Sequence, residues 1–112
     1  MGDASLDLLK GTLDILILKT LSRGPLHGYG VSRWLRQATD DAFRVEEGAL
    51  YPALRRLEKR GFVESEWGLT DTGRDARFYR ITGAGEAELA SGVRSWDRYA
   101  AAMARVLGAP AT

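Results

Sequence analysis

The spacing of apolar residues changes several times along the chain, and each change marks an element. From about Leu6 to Ser22, Leu6, Leu9, Leu13, Leu16, Ile17 and Leu21 recur at helical intervals and make a broad stripe. At about 100° per residue, Leu8, Ile15 and Leu18 fall on the opposite side. A helix apolar on two faces is buried on two faces, and here the second cover is either the last helix or another subunit. Gly24-Pro25 stops this first helix. A second helix is expected from Gly28 to Ala38, with Val31, Trp34, Leu35 and Ala38 inward and Asp40-Asp41 as a polar connector. The third spans Glu47 to Arg60, with Leu50, Ala53, Leu54 and Leu57 as its core stripe. Gly61 stands where a helix C-terminus favours glycine. Glu46 and Glu47 suit the positive end of this helix, and Pro52 is tolerated near its first turn.

The period then falls to two. Phe62 to Trp67 and Arg77 to Thr82 read as the strands of a hairpin, with Tyr79 and Ile81 on one face and Phe78 and Arg80 on the other. The connection from Gly68 to Ala76 is polar and too long for a tight turn. Helical spacing returns after Thr82, a suitable N-cap, with Glu86 near the start. Leu89, Val93, Trp96, Ala100, Met103 and Leu107 then recur at intervals of 4, 3, 4, 3 and 4, a heptad seam. This last helix, about 24 residues and roughly 36 Å long, outreaches so small a core and needs a partner. Three helices, a hairpin and a final helix are the order of a winged helix-turn-helix, a mainly α (α+β) fold. The expected boundaries are 1–82 for the winged unit with its two-stranded wing, and 83–112 for a dimerisation helix with a loose tail.

Composition narrows the chemistry. A chain of 112 residues, 45% hydrophobic, is about one small domain. With no cysteine and one histidine it offers neither disulfides nor the usual ligand set of a zinc site. The longest apolar stretch, Leu13 to Leu18, is interrupted by Asp14 and falls far short of the roughly 20 residues of a membrane span. Asp3 and Asp7 stand where a signal peptide would be basic, so a cytoplasmic location is expected. The net charge of +1 decides nothing, but its distribution does. Arg55-Arg56-Leu57-Glu58-Lys59-Arg60 carries four cations against one anion, and the stretch from Arg74 to Arg80 three against one.

On the third helix, Gly48, Pro52, Arg55 and Lys59 lie opposite the apolar stripe, with Tyr51 and Arg56 on the flanks. An apolar stripe backing a cationic one suits a helix that enters a major groove. The bland reading is a solvated basic face. Two helices joined by a glycine-containing turn ahead of it, and a basic hairpin after it, favour nucleic acid. Arg74 and Arg77 are placed for a wing contact to the backbone or minor groove. Tyr29 either packs locally or offers its hydroxyl to a phosphate. His27 lacks the nucleophile or acid of a catalytic set and is read as a local hydrogen bond at a helix start. Gly28-Tyr29-Gly30 lacks the lysine of a phosphate loop. No enzyme and no cofactor are expected. Trp96 is read first as packing in the seam, and second as a residue that stacks a small aromatic effector. A winged helix used for protein binding, its basic helix merely solvated, is the alternative function.

Several runs together resemble the PadR-like regulators. They are Leu9 to Leu18, Gly24-Pro25-Leu26-His27-Gly28-Tyr29-Gly30, Glu47 to Glu58, Gly61 to Trp67, and Tyr79-Arg80-Ile81-Thr82-Gly83-Ala84-Gly85. The resemblance covers roughly residues 8 to 107. It implies a homodimeric transcriptional regulator, usually a repressor, on an inverted-repeat DNA operator. The third helix would lie in the major groove and the wing on the backbone. The last helix would be exchanged between subunits, and some members release DNA on binding a small aromatic or drug-like compound. The expected dimer face joins the heptad seam to Leu8, Ile15 and Leu18. Asp75, in a wing stretch often uniformly basic, and Ala49, where a hydroxyl residue is common, depart from the family pattern.

Overall fold

The computed structural model describes residues 11–108. Its first helix, α1 (Thr12–Leu21), begins immediately after Gly11, whose left-handed φ of 86° closes off the helix on that side. The described helix begins at Thr12, and the expected start at Leu6, with Leu8 and Leu9, lies outside the described residues. Ile17, Leu18, Thr20 and Leu21 are buried, and the Thr20 hydroxyl donates to the Leu16 carbonyl at 2.7 Å. That bond satisfies the one polar group in an otherwise apolar stretch of core.

After Gly24-Pro25 comes a two-residue strand, β1 (Leu26–His27), that the sequence pattern did not reveal. It leads directly into α2 (Gly28–Ala38). The inward set of α2 is narrower than expected. Val31 and Leu35 are buried and Trp34 half-buried beneath the Arg23 guanidinium, but Ala38 is exposed. The helix closes with Asp41 N–H donating to the Arg36 carbonyl at 2.8 Å and Asp40 N–H to the Gln37 carbonyl at 3.3 Å. Asp40 and Asp41 both take left-handed backbone, φ 52° and 67°.

The third helix, α3 (Glu47–Lys59), buries Leu50, Ala53, Leu54 and Leu57, the expected stripe. These side chains meet Ile17, Leu18 and Leu21 of α1, Val31 and Leu35 of α2, and Val45, in one continuous core. Leu18 is 1% exposed there, which corrects its assignment to a dimer face. The cover for that side of α1 is the protein's own core.

Two longer strands, β2 (Val63–Leu69) and β3 (Asp75–Ile81), pair antiparallel, and the described sheet has the order β1-β3-β2. Val63 and Tyr79 carry the sheet into the core. The ladder runs out to Gly68↔Ala76 and Leu69↔Asp75, so the long connection expected from Gly68 to Ala76 shrinks to residues 70–74. Thr70 N–H donates to the Arg74 carbonyl at 2.8 Å and Gly73 N–H to the Thr70 carbonyl at 2.9 Å. Gly68, Leu69, Asp75 and Ala76, which read as loop, are paired because each has a backbone partner across the ribbon, whatever its side chain.

The final helix, α4 (Gly83–Leu107), starts where Thr82 accepts the Gly85 N–H at 3.1 Å and donates to the Gly61 carbonyl at 2.7 Å. Gly85 lies so close to the Phe62 carbonyl that a Cβ there would collide with backbone. This pins the helix to the base of the sheet. Farther along, Ile15 of α1 fills the space over Gly92, and Leu89 packs against the core. Ile15 is thus partly covered by α4 of its own chain. Beyond that the helix leaves the core, and residues 101–108 are all exposed. No described helix is long and apolar enough to cross a membrane.

Candidate nucleic-acid interface

The side of α3 opposite its buried stripe is open. Arg55 and Lys59 are exposed and one turn apart, and Gly48 and Ala49 are exposed at the helix start. Pro52 is the sixth residue of α3 rather than part of its first turn. Its missing N–H leaves the Gly48 carbonyl to water, which Gly48's exposure permits.

Tyr51 and Arg56 behave differently from Arg55 and Lys59. Tyr51 is half-buried with its ring over Gly28, where an added Cβ would come within 2.7 Å of the ring edge and hydroxyl. Glycine at 28 is what allows α2 and α3 to approach through this ring. Arg56 donates from Nη2 to Asp14 on α1 at 3.2 Å, an ion pair that ties it to the first helix. Its side chain is still 58% exposed.

His27 sits where β1 meets α2. Its Nδ1 accepts the Gly30 N–H at 3.0 Å and caps the helix, and its ring meets the Phe78 ring edge-on at 5.2 Å. The local hydrogen bond expected from the sequence is present, with Nδ1 as the acceptor. Tyr29 next to it is 65% exposed, its ring stacked at 6.3 Å from that of His27.

The wing completes the face. Arg74 stands exposed in the turn. Arg77, paired with Trp67 across the ribbon, lies with its guanidinium 5.5 Å from the Trp67 ring centre. Its Nε donates to Ser65 Oγ at 2.9 Å, and Ser65 Oγ donates to Glu58 Oε2 at 2.7 Å. Arg80 points to the other face of the ribbon and is ion-paired with Glu64.

Between α2, α3 and the wing lies an open groove of about 830 Å³, with Tyr29, Tyr51, Arg74 and Arg77 among its lining residues. Arg55 and Lys59 are not among the residues lining it; they stand on the outer side of α3. Arg33, Gln37 and Trp67 also line the groove and were missed. Tyr29, Arg33 and Gln37 recur every four residues, so the face they share was there to be read. Trp67 continues the alternation Val63, Ser65 on the core-side face of β2. The described residues hold no His/Cys/Asp/Glu cluster that could bind a metal.

Beneath the groove, burial of the Tyr79 hydroxyl, reinforced by the nearby Glu58 carboxylate, raises its pKa above the ordinary 10.0. The folded state thus holds this proton more tightly than the unfolded chain. Its contribution to stability is complete below pH 10.0 and fades as pH rises through the higher folded value. Melting temperatures recorded from pH about 8 to about 11 should fall more steeply for the natural chain than for Tyr79→Phe. Parallel curves would mean that Tyr79 ionises freely in the fold.

The chain's similarities to known proteins are consistent and broad. The Transcriptional regulator PadR-like family matches residues 17–91. A transcriptional regulator from Mycobacterium tuberculosis is 39% identical over 85 residues, 75% of this chain and 75% of that protein. The negative transcriptional regulator PadR of Bacillus subtilis is 26% identical over 77 residues, 69% of this chain but 42% of that protein. Among solved structures, a transcriptional regulator from Clostridium thermocellum superposes with a TM-score of 0.79 at 31% identity, covering 86% of this chain and 90% of its own. A PadR-like transcriptional regulator from Bacillus cereus gives 0.75 at 28% identity, covering 88% and 93%.

Proposed function

Because the chain belongs to the PadR-like family of transcriptional regulators, we propose that it works as a homodimer on an inverted-repeat DNA operator and represses transcription there. The observation that carries this reading is the pair of exposed cations, Arg55 and Lys59, on the outer face of α3, beside a wing that carries Arg74 and Arg77. A helix with that face can enter a major groove while the wing meets the flanking backbone. Tyr29 and Arg33, at the opposite rim of the groove, are placed to take a phosphate on the other side. The winged unit, 1–82, reads DNA; the remainder, 83–112, joins two copies. Two recognition helices about 34 Å apart would then read a palindrome. The repressor reading draws support from the Bacillus subtilis relative, a negative transcriptional regulator. On the seam, Trp96, whose ring centre lies 5.8 Å from that of the flanking Tyr99, is the residue for a small aromatic effector to stack on.

Electrostatic and base-reading contacts respond differently to mutation. Arg74→Ala should weaken binding to all sequences alike and lower the salt slope by about one. Arg55→Ala should cost about 1–3 kcal/mol on the preferred operator and flatten the preference among operator variants. Fluorescence anisotropy titrations with the chain's upstream DNA, across salt concentrations and operator variants, check both. Wild-type affinity that ignores salt would contradict the assignment and favour protein binding instead.

A further inference from the structure

A carboxylate on a helix that approaches DNA is a liability, since it faces phosphates of its own sign. Glu58 is such a group: it lies on α3 between Arg55 and Lys59. Its surroundings account for it. Glu58 is half-buried and accepts the Ser65 hydroxyl at 2.7 Å, and Ser65 in turn accepts the Nε–H of Arg77 at 2.9 Å. The Arg77 guanidinium lies 5.5 Å from the ring centre of Trp67, a residue left 67% exposed on the wing.

We propose that Glu58 and Ser65 are positioning residues that tie the recognition helix to the wing and hold the Arg77 guanidinium against Trp67, aimed at a backbone phosphate. The proposal rests on the DNA-binding reading above and assigns how the wing cation is aimed. A guanidinium has five N–H donors, and Ser65 takes only the one on Nε. The amino groups keep theirs for a phosphate, for which a planar fork is well matched. Trp67 restrains the plane from one side, and the hydroxyl fixes its rotation. An arginine left loose would give up rotamer entropy on meeting DNA; one held in this way has given it up already. The Glu58 charge, spent through Ser65 on Arg77, also strengthens the hydrogen bond that does the aiming.

The proposal predicts a sign that simple charge counting does not. Removing an acid near DNA should tighten binding if only net charge matters. Glu58→Ala is instead expected to weaken it. Anisotropy titrations with operator DNA should show Glu58→Ala and Ser65→Ala each binding about fivefold more weakly, the scale of coupling between contacting polar groups. Neither change should add to the loss already caused by Arg77→Ala, as befits residues acting through that arginine. In the DNA-free protein, the Arg77 Nε–H resonance should exchange slowly with solvent and lose that protection in Ser65→Ala. Melting curves establish that each variant is folded, and Ser65→Ala carries the test if Glu58→Ala is not. Wild-type binding matched or exceeded by both variants, or losses that add to that of Arg77→Ala, would overturn the assignment alone. A wild-type chain that binds no operator even at low salt would sink the DNA reading and this assignment with it.

Discussion

Leu54→Ala is expected to remove about 2–5 kcal/mol of stability, the usual cost of a leucine truncated in a closed core. Leu54 is 0% exposed and stands in the middle of α3. Helices α1 and α2 and strand β2 all contribute side chains to the cluster that surrounds it. None of those neighbours can collapse into the gap without dragging a helix with it, so the upper part of the range is the better guide. Small domains hold only about 5–15 kcal/mol in total. The loss should lower the melting temperature by about 4–8 °C per kcal/mol, read by circular dichroism. Because Arg55 is the next residue, a poorly folded α3 should also lose DNA affinity. That loss should track the unfolded fraction and recover on cooling. A shift below about 1 kcal/mol would mean that the core around α3 is far more yielding than close packing allows.

Trp96→Glu combined with Met103→Glu should have the larger functional effect. Both residues lie on the heptad face of α4 past its last anchor on the core, 42% and 41% exposed in the single chain. In the homodimer proposed above these carboxylates would be buried in pairs, which is unfavourable, so the two copies should come apart, seen as a halved mass in sedimentation or light scattering. Circular dichroism should change little, since the chain's own contacts at Gly85, Leu89 and Gly92 hold the first half of α4 in place. Operator affinity should fall by about a hundredfold to ten-thousandfold, because each half-site is then bound without the help of the other. A chain that stays dimeric and keeps its affinity would remove the distal seam from the assembly.

Much of this design was legible because periodicity reports directly on burial. The α3 stripe stands out because four apolar residues share one face with nothing polar between them on that face. The ends of α2, the cap at Thr82 and the glycine after α3 were legible because they are local backbone chemistry. Gly61 does take a left-handed φ, 82°. What escaped was long-range. Strand β1 is two residues with no period of its own, and it exists only because Tyr79 and Phe78 lie alongside. Leu18 was placed by angle on a second face, when the core wraps far enough round α1 to take it in. The ion pair of Arg56 with Asp14, 42 residues away in the chain, has no signature in helical position. The Glu58–Ser65–Arg77 chain links two elements whose meeting no spacing encodes.

The short strand β1 has a mechanical consequence. It pairs with β3 only at Phe78 and Tyr79, so β3 is flanked on both sides there and on one side from Asp75 to Arg77. The sheet therefore divides into a stiff root and a pliant tip. A two-stranded ribbon twists more freely than a three-stranded sheet and is barely stable by itself. Arg77 lies at the boundary, the first residue beyond the root, and Arg74 rides on the tip. One arginine is thus held to a fixed position while the other can bend to follow the path of whatever backbone it meets.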